Sequence, residues 1–404
     1  MKIVHIITRL ILGGAQENTL ITCRLLAGRG HDVTLITGPA LGPEGALFEQ
    51  TKAGDYETIV IGKMRRPIKP IYDAACYFRI KKILAEIKPD IVHTHSAKAG
   101  IIGRYAGCNL KGKISTDNKN LPYVVHTIHG LAFHPYLNPV LNKFYIAVEN
   151  ATAKKTDAFI TVADAMTEKA LAVGMGKPDM YTTAYSAIEE DDFLQRPDGL
   201  KIGDFRRRFG ISDQAIVIIA VARLAELKGH EYIIESARRL SPKYDKCVWL
   251  FVGDGNLTLK IKEKIQLYNL GYKFKFTGLL PPEKIPLAIH ASDILVHCSL
   301  REGLARVLPQ AMLCGKPVVS FDIDGAKEVV NEKTGFLIEP KNIDGLTEAC
   351  EKLIQNPQLR RTLGETGQKS VIEKFAPNTM VDTIEVVYNK LLERNTLAQE
   401  EHSG

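Results

Sequence analysis

Ile216-Val217-Ile218-Ile219-Ala220-Val221 runs without a charge into Ala222-Arg223-Leu224-Ala225-Glu226-Leu227-Lys228-Gly229-His230. A short, uninterrupted run of mostly β-branched residues reads as a strand buried on both faces, the pattern of a parallel sheet. The turn gives way to helical spacing from Gly229 to Leu240. Strand, turn and helix in that order make the unit of a doubly wound α/β domain, whose ligands bind at the carboxyl ends of its strands. The turn is therefore where chemistry is expected. Arg223 and Lys228 stand five residues apart where the helix opens. Backbone N–H groups and the positive dipole end act there with both cations to attract an anion. Arginine can grip phosphate oxygens in pairs, and lysine adds a point charge. Taken alone, an exposed turn with incidental cations fits equally well.

Working outward, the same alternation recurs in both directions. Downstream strands are read at Cys247 to Val252, Phe274 to Thr277, Ile294 to His297, Pro317 to Ser320 and Gly335 to Ile338. Helices fall at Leu257 to Tyr268 and Ala305 to Leu313. Upstream, strands are read at Ile3 to Ile7, Val33 to Thr37, Thr58 to Ile61, Ile91 to Thr94, Tyr123 to Thr127 and Ala158 to Val162. Helical periods lie between, for example Gln16 to Ala27 and Leu141 to Ala153. The alternation breaks at the acidic stretch Ser186 to Asp192, which reads as a hinge near Ile188. The expected fold is α/β, with two doubly wound Rossmann-like domains, 1–187 and 188–375, facing a central cleft. A last amphipathic helix is expected from Asn378 to Leu392, within 376–395, with a polar, frayed end after it.

Bulk properties agree with a globular protein. The 404 residues suffice for two to three domains, since single cores rarely exceed about 250. Hydrophobic content of 45% and charged content of 25% are ordinary. The seven cysteines are scattered without a CxxC pair, which fits reduced thiols in the cytoplasm rather than a disulfide framework or zinc ribbon. The opening MKIVHIITRLILGGAQ is interrupted by Arg9 and reads as a first buried strand, not a signal peptide. No apolar run approaches the ~20 residues that span a bilayer. The net charge is +7, with Lys63, Arg65, Arg66, Lys69, Arg79, Lys81, Lys82 and Lys88 set against Asp73 and Glu86. Ala75, Phe78, Ile83 and Ile87 have helical spacing there, so this stretch is either a basic amphipathic helix for an anionic membrane or a solvated face. Nucleic acid is not the expected partner, because aromatics are few and no recognition motif accompanies the charge.

A second motif, Ser299-Leu300-Arg301-Glu302-Gly303-Leu304-Ala305-Arg306-Val307-Leu308-Pro309-Gln310-Ala311, follows the strand ending at His297. Gly303 permits close backbone approach, and a following helix would aim its amides at a ligand. Glu302 either complements that helix or binds hydroxyls, because an acid beside a diphosphate is otherwise repelled. Gln310 lies eight residues on, about two helical turns, which would place both side chains toward one cleft. His93 and His95 share a side of their strand and, with His126, His129 and His134, form either a metal cluster or a set of hydrogen-bonded rings. The carboxylates usual at metal sites do not accompany them. Gly253-Asp254-Gly255 reads as a strand-end turn on the nucleotide side.

Together these motifs resemble the retaining GT-B glycosyltransferases of family 4, and the likeness spans essentially the whole chain. Arg223 and Lys228, Glu302-Gly303 with Gln310-Ala311, and Gly315-Lys316-Pro317-Val318-Val319 resemble the donor domain. Gly13-Gly14-Ala15-Gln16 resembles the amino-terminal glycine loop, and His126-Thr127-Ile128-His129-Gly130 the histidine loop. The resemblance implies that Arg223, Lys228, Gly14 and the amides after Gly303, Leu304 first, hold a donor diphosphate. It implies Glu302 on donor-sugar hydroxyls and His129 on the sugar's outer hydroxyl. Gly13, Gly253 and Asp254 would complete the donor site. Gln310 stands where the family has a glutamate for the nucleotide ribose, which would weaken donor binding around tenfold. It further implies an acceptor in the first domain, a final helix crossing back to it, and retention with the departing phosphate taking the acceptor's proton. No metal or other cofactor is expected. The expected partners are a nucleotide diphosphate sugar and a saccharide or lipid-linked acceptor, in the cytoplasm or peripherally on the inner membrane face. Rival readings are a sugar-nucleotide 2-epimerase of similar build and a metal-dependent hydrolase on His93 and His95.

Overall fold

The computed structural model describes residues 1–11, 13–39, 51, 54–113 and 121–403, with backbone alone for 394–403. The chain divides into two compact units, Met1–Ala187 with Pro377–Gly404, and Ile188–Ala376.

The first unit holds β1 (Lys2–Ile7), α1 (Gly14–Gly28), β2 (Asp32–Thr37), β3 (Glu57–Val60), α2 (Pro70–Ile87), β4 (Ile91–His95) and α3 (Ala97–Cys108). It continues with β5 (Tyr123–Ile128), α4 (Pro139–Ala153), β6 (Ala158–Thr161), α5 (Asp164–Ala172) and β7 (Tyr181–Thr183). Its seven strands, all parallel, lie in the order β3-β2-β1-β4-β5-β6-β7. β7 was not legible as a strand, being three half-buried residues at the sheet edge.

The second unit holds α6 (Asp191–Leu194), α7 (Gly199–Arg208), β8 (Ile216–Val221), α8 (His230–Leu240), β9 (Cys247–Val252), α9 (Thr258–Leu267) and β10 (Phe274–Gly278). α10 (Ile285–His290), β11 (Ile294–His297), α11 (Val307–Leu313), β12 (Val318–Phe321), β13 (Gly335–Ile338), α12 (Ile343–Gln355) and α13 (Pro357–Val371) follow. Its six parallel strands run β10-β9-β8-β11-β12-β13.

Both sheets are covered on both faces, which explains their unbroken apolar strands. In the second unit, Trp249, Phe251, Phe274 and Phe321 anchor the core with Ile234, Leu240 and Leu353. In the first, Ile3, Ile7 and Val125 pack beneath α1 and a final helix, α14 (Pro377–Ser403), while Val4, Ile6 and Val92 pack beneath α2 and α3. α14 docks through the spaced residues Val381, Ile384, Tyr388 and Leu391. At its rim Arg29 forms ion pairs with Asp382 and Glu385, and His31 Nε2 lies 2.6 Å from Glu385 Oε1. Its helical backbone continues to Ser403, past the expected helix end at Leu392. Ala, Leu, Glu and Gln in that segment are good helix formers.

Each sheet has one place where the strand order reverses: between β1 and β4, and between β8 and β11. Loops leaving the paired strands diverge there and leave a crevice. The Arg223–Lys228 turn leaves β8, and the Glu302 loop leaves β11.

Candidate active site

The two loops at the β8/β11 reversal are held backbone to backbone. Leu300 donates its N–H to the Leu227 carbonyl at 2.8 Å. A Cβ on Gly229 would lie 1.9 Å from the Cys298 carbonyl oxygen, and Gly229 has φ of 70°, so glycine is required on both counts. Leu227 itself is left-handed, with φ of 64°. For a residue with a Cβ that conformation costs roughly 1–2 kcal/mol, which the surrounding clasp offsets. The result is that Lys228, just ahead of α8, is aimed at the loop that leaves β11.

There it meets Glu302. Lys228 Nζ contacts Glu302 Oε1, and His297 Nε2 stands 3.5 Å from the same oxygen. Asp324, in the loop after β12, accepts the Glu302 N–H at 2.6 Å, and Gly325 donates to the Gly303 carbonyl at 3.3 Å. Three successive strand ends thus build one polar site. Burial pushes the Glu302 carboxyl up, but Lys228 and His297 outweigh it and hold it well below the usual carboxylate range. Behind it, burial lowers His230 to about 4, with Lys228 and His297 adding to the effect. At neutral pH the site therefore presents a carboxylate locked to an ammonium, over a neutral ring.

Arg223 is exposed on the loop that carries Lys228. Gly253 lies under it: φ is 130°, and a Cβ there would sit 2.1 Å from the Ala222 carbonyl oxygen. Asp254 spends its carboxylate on its own turn, accepting Gly255 N–H at 2.7 Å and Thr258 Oγ1 at 2.5 Å, which lowers its pKa. Its carbonyl takes the Leu224 N–H at 3.0 Å.

One expectation is corrected. α11 starts at Val307, not Ala305, so Glu302 precedes the helix by a loop. The two-turn relation between Glu302 and Gln310 does not exist, and the amides after Gly303 and Leu304 belong to loop backbone. Gly303 and Leu304 are buried there, and Gln310 is partly exposed on α11.

In the first unit, Gly13 is extended and caps α1 with its carbonyl, which accepts Gln16 and Glu17 N–H at 3.1 Å each. Gly14 is the first residue of that helix. His129 follows β5 and lines a cavity of about 230 Å³ with Ser96, His126, Leu131, Glu149 and Met175. The expected histidine group is divided by the sheet. His126 faces α3, bonding Thr94 Oγ1 at 2.9 Å, with its ring against Gly100. His93 and His95 face α14 together with His5, and these three place ligand atoms within 4.8 Å of one another. Burial lowers all four rings below their ordinary value, His5 to about 3.

The basic stretch also differs in detail. α2 buries Cys76, Ile80, Ile83 and Leu84, so Phe78 is not on the same face as Ile83. Phe78, Ile68 and Ile71 are exposed among Arg65, Arg66, Lys69 and Arg79. Among the described residues no helix is long and apolar enough to cross a membrane.

With this geometry in place, comparison with known proteins is decisive about class. Residues 201–370 match the family model for glycosyl transferases group 1, and residues 12–182 that for glycosyltransferase family 4. The chain is a family 4 glycosyltransferase. Its fold is GT-B: a UDP- and glucose-bound structure of Anabaena Alr3699/HepE superposes with a TM-score of 0.81 at 20% identity, covering 96% of this chain and 99% of that one. The UDP-Gal:alpha-D-GlcNAc-diphosphoundecaprenol alpha-1,3-galactosyltransferase of Escherichia coli is 28% identical over 392 residues, 96% of each chain. The N-acetyl-alpha-D-glucosaminyl L-malate synthase of Bacillus anthracis is 23% identical over 91% of each.

Three residues packed beside the candidate side chains, two in the second unit and one in the first, escaped the sequence reading. His297 was visible as the last residue of a strand, but nothing marked its ring as facing Glu302. Asp324 lies 22 residues beyond Glu302 and joins it only because β12 is the neighbour of β11. His5 shares the face of His93 because β1 and β4 pair His5 with His93.

Proposed function

We propose that this glycosyltransferase moves a hexose or related sugar from a UDP- or GDP-sugar to a saccharide or lipid-linked acceptor, with retention at the anomeric carbon, in cell-surface polysaccharide or glycolipid synthesis. The observation that carries the reading is the Lys228–Glu302 contact at the β8/β11 reversal. It puts a cation for phosphate next to an anion for hydroxyls, the two chemistries a sugar diphosphate combines.

In the mechanism, the bond between the anomeric carbon and the phosphate oxygen lengthens while Arg223, Lys228 and loop amides after Gly303 answer the growing charge. Removing one such preorganised donor commonly costs ~2.7–4 kcal/mol of transition-state stabilisation. Glu302 orients the sugar through its hydroxyls, and His129 contacts the outer hydroxyl. The acceptor hydroxyl attacks from the side the diphosphate leaves, and the departing phosphate takes its proton. Two cations already counter the diphosphate, so the mechanism calls for no metal. The names of the relatives support the donor and acceptor classes: one uses UDP-Gal and a diphosphoundecaprenol acceptor. A lipid-linked acceptor also gives a role to Ile68, Ile71 and Phe78 among their basic neighbours, as a peripheral contact with anionic membrane.

The test is a thermal-shift screen of UDP- and GDP-sugars, followed by NMR of the glycoside made from the best donor. An α-configured donor should yield an α-glycoside at neutral pH in EDTA. An inverted anomer, or product formed without an acceptor, would refute the reading.

A further inference from the structure

We propose that His5 and His95 are positioning residues, forming a one-directional chain of imidazoles that places the single N–H of His129 on Nδ1. The chain is continuous in space. His5 Nδ1 lies 2.9 Å from His95 Nε2, and His95 Nδ1 lies 3.1 Å from His129 Nε2. Both are hydrogen-bond distances, and each contact holds one proton.

The direction follows from the far end. In one arrangement His5 donates to His95 and His95 donates to His129. His5 Nε2 is then a bare lone pair. In the other, every proton is reversed and His5 Nε2 carries an N–H. His5 is fully buried, and Nε2 has no partner among the described residues. An orphaned buried N–H is rarer and costlier than an orphaned acceptor. The first arrangement is therefore preferred, and it makes His129 Nε2 an acceptor.

Burial keeps His5 and His95 neutral, so neither supplies a second proton. His93 stacks on His95 with centroids 4.3 Å apart but is saturated elsewhere, by Tyr388 OH at 2.5 Å and Thr127 Oγ1 at 2.6 Å. Both partners are hydroxyls that donate or accept, so His93 leaves the direction unchanged.

The same rings suggest a metal site, but their spacing disagrees. Two nitrogens each ~2.0–2.1 Å from one tetrahedral zinc sit about 3.3 Å apart. His5 Nδ1 and His95 Nε2 are closer than that, and both nitrogens of His95 are occupied.

The consequence is chemical. His129 lines the first-unit cavity, and with Nε2 as the acceptor of the chain it carries its N–H on Nδ1, suited to a hydroxyl oxygen and unable to act as a general acid through Nε2. This rests on the proposed assignment of His129 to the donor sugar only for its kinetic effect. The tautomer itself does not depend on that assignment.

The experiment uses the full chain labelled with ¹⁵N-histidine at neutral pH, with His129 assigned through His129→Gln. Long-range ¹H–¹⁵N spectra should show His129 protonated on Nδ1. His5→Asn, whose amide NH₂ stands where Nδ1–H does, should keep that tautomer. His5→Leu should lose it and raise the donor KM about fivefold with kcat little changed. Should His5→Leu not fold, the wild-type and His5→Asn spectra decide alone. His129 protonated on Nε2, or stoichiometric tetrahedral cobalt(II) absorption, would overturn the chain. The expected tautomer with wild-type turnover in His129→Gln would instead sink the sugar contact and leave the chain standing.

Discussion

Glu302→Gln should separate binding from catalysis, and in opposite directions. The substitution keeps the shape of the side chain and removes the charge that ties down Lys228. Their side chains are 21% and 22% exposed, between surface and core. Gross attraction at ~4 Å with an effective dielectric of ~20 is about 4 kcal/mol. Exposed pairs net ~0–1 kcal/mol and breaking a buried one costs ~3–5, so about 2 kcal/mol suits this pair. An arriving diphosphate must share Lys228 with Glu302 and so loses part of that energy. Without the carboxylate, UDP or GDP should bind three- to thirtyfold more tightly. Turnover should fall roughly tenfold, because hydroxyls lose a charge-assisted partner worth ~1.5–3 kcal/mol for a neutral one worth ~0.5–1.5. Lys228→Ala should instead weaken nucleotide binding and lower turnover about a hundredfold or more. Calorimetry with both nucleotides and single-turnover assays on variants of native circular dichroism would measure the split. Weaker nucleotide binding by Glu302→Gln, or wild-type turnover in it, would refute the reasoning.

Acid should unfold the first unit before the second. His5, His93, His95 and His126 have depressed pKa values there, against His230 and His290 in the second. A depressed histidine gives stability that is full above the ordinary value and lost as pH falls below it, at about 1.4 kcal/mol per pH unit for each ring. The single tryptophan, Trp249, is buried in the second unit, so far-UV ellipticity should decline before its emission changes between pH 6.5 and 4. Coincident transitions would oppose this. Gly229→Ala should lower the melting temperature and abolish nucleotide binding, because its Cβ meets the Cys298 carbonyl; an unchanged thermal-shift response to UDP and GDP would show the clasp to be dispensable. Phe78→Ser with Ile71→Asp should reduce co-sedimentation with anionic liposomes and leave nucleotide affinity intact, whereas binding independent of anionic lipid would argue against membrane docking.

Parallel strands were legible because both of their faces are buried. Ile216–Val221, Cys247–Val252 and Ile294–His297 were read to the residue on that signal, and the less buried Gly335–Ile338 on its apolar run alone. Tyr181–Thr183 escaped because it is only three partly buried residues at the sheet edge, too short a run to stand out. The start of α11 was misplaced because Ala305 and Arg306 are good helix formers, and the loop that keeps them out is held by Asp324, remote in sequence. Lys228 and Glu302 were legible as candidates from chemistry, but their pairing was not. It arises from strand order, which brings β8 beside β11 across 74 residues. His5 was hidden for the same reason: register, not local pattern, sets it beside His93 and His95.

That pairing has a consequence for how such a site behaves through a reaction cycle. Lysine carries ~2 kcal/mol of rotamer entropy, and a lysine fixed beforehand loses less when phosphate arrives. Glu302 fixes it, but as a competitor. With an intact sugar diphosphate both partners are compensated, Lys228 by phosphate and Glu302 by sugar hydroxyls. With inorganic phosphate, or with the nucleotide left after transfer, only Lys228 is, and the carboxylate reclaims it. On the proposed reading the same ion pair therefore favours donor over product by the sugar's contacts with Glu302. A site built from two free cations would hold the spent nucleotide as firmly as the donor. Placing the acid in contact with the lysine weakens phosphate binding in general and restores it selectively for a phosphate that brings its sugar.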